Sequence, residues 1–278
     1  MKHVNPSFSI QAPKINFETA QLFAEAGPTG FSIVVLEAGQ SFKALAVYTF
    51  ETGLSDHELA AGFTAIFNSE NLLQKQYSRS HIFWSFPESI LVPAELMNAG
   101  RNGNMLNLVF GDARQGLTRS DFVYRHNLHQ VYRIPQSTAD VFSGFLPFAT
   151  QTHVFTTMVN QDIPAGDHLF TVFYSNSLTI MLCKAGQLQV IQNFTYSNAD
   201  DCVFHLLNVC QGFDVQPEDV VLHINGMIDA RSGLYGTIYK YFLQVSFDEL
   251  PGAYTYHETI HDHPAHFFSH LFALASCV

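Results

Sequence analysis

Apolar residues recur along this chain in short, evenly spaced runs, and the period of each run predicts its element. Residues 168–173 are apolar on both alternating faces, as in a strand covered on both sides. Turn chemistry at Tyr174-Ser175-Asn176-Ser177 leads to a second strand at 178–183. Lys184-Ala185-Gly186-Gln187 turns again, with Gly186 free to take a positive φ. A third strand follows at 188–194, and its Gln189 and Gln192 predict a more exposed place. Then the period changes from two to nearly four. Ser197 is the expected N-cap of a helix that buries Val203, Leu206, Leu207 and Cys210 and ends at Gly212. Pro217 leads into a strand at 220–224, closed by Asn225-Gly226. Leu234, Ile238, Tyr241 and Phe242 mark a second helix.

The first half reads less evenly. Residues 1–28 are polar, and 17–26 predict one short helix. Strands are expected at 31–36 and 42–50, joined by the turn 37–40. Ser55 and Glu58 form a capping box before a helix that buries Leu59, Phe63, Ile66 and Phe67. Strands at 81–86 and 90–92 follow, interrupted by Pro87. Residues 98–104 are the most loop-like stretch. Further strands are expected at 105–110, 121–125, 130–134 and 153–159, with a helix capped by Ser137 and burying Val141, Phe142 and Phe145. Residues 161–166 read as a linker, and 266–275 as a terminal helix. That helix should dock through Phe267, Leu271 and Leu274 and cross back to the first half.

Three strands, a helix, a strand and a helix is the order of a ribonuclease-H-like lobe, and actin-like ATPases contain two such lobes. Strand start, helix cap and next strand fall at Phe31, Ser55 and His81 in one half and at His168, Ser197 and Val220 in the other. The halves therefore read as a weak internal duplication. The fold expected is α/β: two ribonuclease-H-like lobes with mixed sheets and an interlobe cleft. The first lobe, 1–160, carries an N-terminal extension, and the second, 161–278, carries the terminal helix.

Particular residues also carry a family resemblance. They are 188–196, Asp200-Asp201, Leu206-Leu207 and the run from His223 to Gly226, with 90–93 in the first half and 264–268 in the tail. Together they resemble an uncharacterised bacterial family, domain-of-unknown-function family 3822. The resemblance implies an actin-like ATPase fold and supplies no activity.

Composition narrows the function classes. A formal net charge of −11, with 13 Lys and Arg spread without a basic run, argues against a nucleic-acid groove or an anionic membrane surface. No apolar run is long enough for a membrane span, and 1–20 lack a signal-peptide core. The four cysteines form no C-x-x-C pair and sit mostly in apolar patterns, as free thiols do in a reducing cytoplasm. A cytoplasmic place is expected.

In an actin-like frame two strand–turn–strand loops would clasp phosphates, using an acid near the metal and glycines that admit backbone N–H groups. The first loop is read at Glu37, Gly39 and Ser41, with one acid and one glycine. The second is Ser175, Asn176 and Ser177, with neither, and Asn225-Gly226 stands on the adenosine side. These eight residues are a candidate degenerate nucleotide site. The plain alternative is three ordinary turns. His257-Glu258-Thr259-Ile260-His261 matches H-E-x-x-H, which on a helix holds zinc. Pro264 follows closely and no acid beyond Asp262 is left for a third ligand. No catalytic residue, metal site or cofactor is assigned. The expectation is a non-catalytic scaffold whose partner is another protein. A nucleotide-binding protein or slow ATPase is the alternative, and a metal-dependent hydrolase on the tail histidines a distant one.

Overall fold

A computed structural model describes residues 5–97, 102–111 and 115–277. The chain divides into two compact units, 1–160 with 254–257 and 277–278, and 161–253 with 258–276.

The first unit opens with β1 (Phe8–Gln11), β2 (Gln21–Gly27), β3 (Gly30–Glu37) and β4 (Ser41–Thr49), followed by α1 (Asp56–Ser69) and β5 (Arg79–Trp84). Three antiparallel strands, β6 (Ser89–Pro93), β7 (Gly116–Val123) and β8 (Leu128–Pro135), make a small separate sheet with α2 (Asn102–Phe110) beside it. Then come α3 (Gln136–Phe145), β9 (Thr150–His153) and α4 (Val154–Val159). The main sheet runs β1-β4-β3-β2-β5-β9. One face of it is closed by α1 and α3. Phe31, Phe63, Phe67, Phe142 and Trp84 pack there mostly edge to face, with Phe31 and Phe67 tilted at 45° and ring centroids 4.8 to 5.6 Å apart. Ser55 caps α1 with the full reciprocal box to Glu58.

The second unit holds β10 (His168–Phe173), β11 (Ser177–Lys184), β12 (Gln187–Thr195), α5 (Ala199–Gly212), β13 (Val221–Gly226), α6 (Gly233–Ile238), β14 (Gln244–Phe247) and α7 (Ser269–Ser276). Its sheet runs β12-β11-β10-β13-β14. Leu169, Phe173, Leu178, Ile180, Leu182, Leu222 and Ile224 face α5 and α6. The edge strand β12 is the exposed one, as its glutamines imply. β15 (Thr255–Tyr256) returns to the first unit and pairs with β4, its Tyr256 ring stacked on Phe42.

The two main sheets have the same plan: β4-β3-β2-β5-β9 matches β12-β11-β10-β13-β14 strand for strand. The duplication is thus offset by one strand from the sequence alignment. The strand that opens the first unit's repeat is β2, where 17–26 predicted a helix. Glu and Ala favour helix. Leu22, Ala24 and Ala26 face the core and Phe23 is buried on the other side, so no alternation marks the strand.

Other expectations are corrected in the same way. Asn102–Phe110 is helix α2, not loop and strand; the rest of the loop expected at 98–104 lies outside the described residues. A run this short does not distinguish the two by pattern. The strand expected at 153–159 is helix α4, capped by His153, whose Nδ1 accepts from Phe155 N at 3.2 Å. Asn198, not Ser197, caps α5, accepting from Asp201 N at 2.9 Å. α5 does end at Gly212, and Asp214 beyond it takes the left-handed conformation, at φ 52°. Ser137 caps nothing; its hydroxyl donates to Asp56 O. Phe145 is half exposed, and α6 stops at Ile238, so that Tyr241 is exposed and an unforeseen strand, β14, follows. The terminal helix docks, burying Leu271, Phe272 and Leu274, but it packs on β13 within the second unit.

Candidate functional site

The second unit brings five of the eight candidate residues to one end of its sheet. β10 and β13 run parallel and finish together, with Phe173 opposite Gly226. The β10–β11 turn beside them is closed by Tyr174 N donating to Ser177 O at 2.8 Å. Tyr196 braces it, its N–H donating to Asn176 O at 3.0 Å and its hydroxyl to Tyr174 O at 2.6 Å. Ser175 is exposed. Ser177 Oγ and Asn176 Oδ1 are buried without a hydrogen-bond partner among the described residues.

Asn225, at the end of β13, is fully engaged. Its Oδ1 accepts from Gly226 N at 3.1 Å, Ser269 Oγ at 2.7 Å and His270 N at 3.0 Å. Its amide nitrogen donates to Asp248. The start of α7 therefore sits on the end of β13. Gly226 takes φ 86°, and a Cβ there would stand 2.2 Å from Phe173 O. This glycine lets two strands approach. Burial drives His270 down to a pKa of about 4, so its imidazole is neutral at pH 7. A polar chain continues away from the site: Asp248 faces His223 at 3.8 Å, and His223 Nε2 meets His168 Nδ1 at 3.0 Å.

In the first unit the matching place is the β2–β3 turn, Gly27-Pro28-Thr29-Gly30, where β2 and β5 finish together. Both glycines serve strand packing. A Cβ at Gly27 would meet Ser85 Oγ at 2.3 Å, and one at Gly30 would meet Tyr48 O at 2.3 Å. The turn has no acid; Glu25, buried in β2, is the nearest carboxyl in sequence.

Glu37, Gly39 and Ser41 stand at the other end of this sheet, on the β3–β4 turn. Its counterpart in the second unit is the Ala185-Gly186 turn, not the one at 174–177. Missing β2 in the sequence moved the count by one hairpin. Glu37 is engaged locally, accepting from Asn16 N at 2.6 Å and facing Lys43 at 3.5 Å. Ser41 pairs with Thr255 of β15. Gly39 does take a positive φ, 83°.

The tail histidines do not lie on an α-helix. Glu258–Asp262 winds as a 3-10 turn, with three residues per turn, so positions four apart do not share a face. Among the described residues no group of three or more His, Cys, Asp or Glu is placed to hold a metal ion. Cys183, Cys202 and Cys210 are buried free thiols, pushed up to about 11, 12 and 11 by burial, which leaves them protonated and inert. Asp248, Ser269 and His270 were missed by sequence reasoning. Ser269 lies 44 residues from Asn225, and no local spacing links them.

Comparison with known proteins fits this plan. The family model described as "Protein of unknown function (DUF3822)" matches residues 12–245. A Bacteroides thetaiotaomicron VPI-5482 protein with actin-like ATPase fold and unknown function superposes with a TM-score of 0.76 at 18% identity, covering 95% of this chain and 100% of that one. A chain of the PilM-PilN type IV pilus biogenesis complex gives 0.60 at 13% identity, covering 96% and 100%. The ethanolamine utilization protein EutJ from Carboxydothermus hydrogenoformans gives 0.51 at 8% identity, covering 97% and 93%. No curated protein matches the sequence. At these identities the likeness carries the fold alone. Two sheets of one plan and a family match over most of the chain lead to one statement: this chain has the actin-like ATPase fold and belongs to the DUF3822 family.

Proposed function

We propose that this chain is a non-catalytic, protein-binding scaffold that keeps the actin-like frame without its nucleotide chemistry. The observation that carries this reading is the state of Asn225. Its acceptor is taken by α7 and its own backbone, and its donor by Asp248, at the strand end where a bound nucleotide would need free groups. The glycines of both strand ends support it, because each is required by strand packing. The name of the PilM-PilN complex puts a protein of this fold with a protein partner, in line with the reading. Among the described residues no helix is long and apolar enough to cross a membrane. Three buried free thiols fit a reducing, cytoplasmic place.

One observation favours the second reading, a nucleotide-binding protein or slow ATPase: Ser177 Oγ and Asn176 Oδ1 are buried and unpartnered at the β10–β11 turn. Thermal melting with millimolar Mg·ATP separates the two. A ligand at 100 times its dissociation constant adds about 2.7 kcal/mol to native stability, and each kcal/mol moves the midpoint of a chain this size by roughly 2–4 °C. No shift beyond noise is expected. A rise of several degrees that disappears with Asn176→Ala and Ser177→Ala would replace the scaffold by the nucleotide reading.

A further inference from the structure

A face of the first unit is used by none of this chemistry. β2, β5 and β9 start side by side there. Two adjoining clefts of about 280 and 360 Å3 open at their starts, and Ser78, Arg79, Ser80 and Phe148 line both. Phe148 is 95% exposed. It is held on a short closed turn, with Leu146 N donating to Phe142 O at 2.8 Å and Ala149 N to Leu146 O at 3.2 Å. Phe145 beside it stacks on Phe67 with centroids 4.6 Å apart. The floor is equally fixed. Ser78 Oγ donates to Ala20 O at 2.7 Å, and the two ring nitrogens of His81 meet the hydroxyls of Thr150 and Thr152 at 2.6 and 3.0 Å.

The charge of this face opposes that of the chain. Acids outnumber Lys and Arg by 24 to 13 in the sequence. Yet Lys75 and Arg79 line the clefts and no Asp or Glu does. The Arg79 side chain is exposed and makes no ion pair or hydrogen bond among the described residues. Lys75 reaches over the Phe17 ring, 5.8 Å from its centroid. A preordered aromatic beside an unpaired guanidinium adds little to folding and is the composition of a binding hot spot. Nucleic acid would meet the acidic remainder of the chain and be repelled. A carboxylate meets Arg79 with two parallel N–H donors.

We infer that this face docks an acidic peptide segment of a partner protein, with an apolar side chain against Phe148 and a carboxylate on Arg79 and Lys75. The inference rests on the scaffold reading and gives the chemistry of its partner. Short random peptides displayed on phage are selected on the full chain, with counter-selection on the double variant Phe148→Ala, Arg79→Glu. The expected pool carries Asp or Glu close to Leu, Phe or Trp. The affinity of its members falls roughly tenfold or more in each single variant, while both variants melt with the wild type because the side chains are exposed. No enriched peptide, a neutral or basic pool, or acidic peptides indifferent to both substitutions would overturn the inference. So would a dimer that Phe148→Ala turns into a monomer in sedimentation, or a single-stranded oligonucleotide whose binding Arg79→Glu abolishes. A Mg·ATP shift at the strand ends would remove the scaffold reading while leaving a positive peptide result intact, so the two failures are distinguishable.

Discussion

At Gly226 the backbone turns through φ 86°, and an added Cβ would stand 2.2 Å from a carbonyl oxygen. Gly39 has nearly the same φ, 83°, with nothing within 4 Å of its Cβ position. The pair separates conformational strain from steric conflict. Gly39→Ala is expected to cost about 1–2 kcal/mol, the left-handed penalty alone. Gly226→Ala is expected to cost upwards of about 3 kcal/mol, because a strand must also move. Urea unfolding of the two variants measures the difference, and equal midpoints would show that β13 yields easily. Both glycines were legible in the sequence as turn residues. The reason for Gly226 was not, since its conflict is with Phe173, a neighbour made only by the parallel pairing of β10 and β13.

Among the elements, α7 has its start tied to the sheet by one polar side chain, Asn225. Asn225→Ala would leave His270 N and Gly226 N without their acceptor, and Ser269 Oγ with only the longer bond to His266 O at 3.4 Å. The expected loss is about 2–4 kcal/mol, with faster hydrogen exchange confined to the amides of 269–276. If exchange there is unchanged, the apolar face of α7 holds it unaided. The elements that the sequence showed best are those with a full local signature. α1 has its capping box and buries Leu59, Phe63, Ile66 and Phe67 at helical spacing, and β10 to β12 have turn residues at both junctions. Those misread lack one. β2 is buried on both faces and written in helix-favouring Glu and Ala. α4 is Val-Phe-Thr-Thr-Met-Val, a strand-like composition turned to helix by the His153 cap and its burial. β14 has four residues and takes its place by pairing with β13 and packing Val245 and Phe247 on the core. Placement of the candidate residues was half legible for the same reason: those at 175–177 and 225–226 lie together at one sheet end, whereas the missing strand put Glu37, Gly39 and Ser41 one hairpin away from the matching turn.

Across the whole molecule, three buried imidazoles make stability depend on pH. Burial lowers His81, His153 and His270 from 6.5 to about 4. His153 is held neutral by geometry too, its Nδ1 accepting from Phe155 N at 3.2 Å where a second proton would have to sit. The unfolded chain therefore takes up protons before the folded one does. Stability is complete above pH 6.5 and falls as the pH drops toward 4, by up to about 3 kcal/mol for each group. Together the three would remove about 9 kcal/mol near pH 4, more than the lower part of the usual range of about 5–15 kcal/mol. The urea midpoint should therefore decline between pH 6.5 and 5. A flat midpoint over that range would mean these rings are not kept neutral. The tail adds a consequence in time. Phe42, 1% exposed, is covered by the rings of Tyr254 and Tyr256, and Asn225 is satisfied by Ser269 and His270. On the ribosome, then, a nascent chain that has emerged as far as residue 250 would hold two sheets, the first without β15 and the second without α7 on the end of β13. Each would present an apolar or polar gap to chaperones, and both would close within the few seconds in which residues 254–276 emerge, at about 5–20 residues per second.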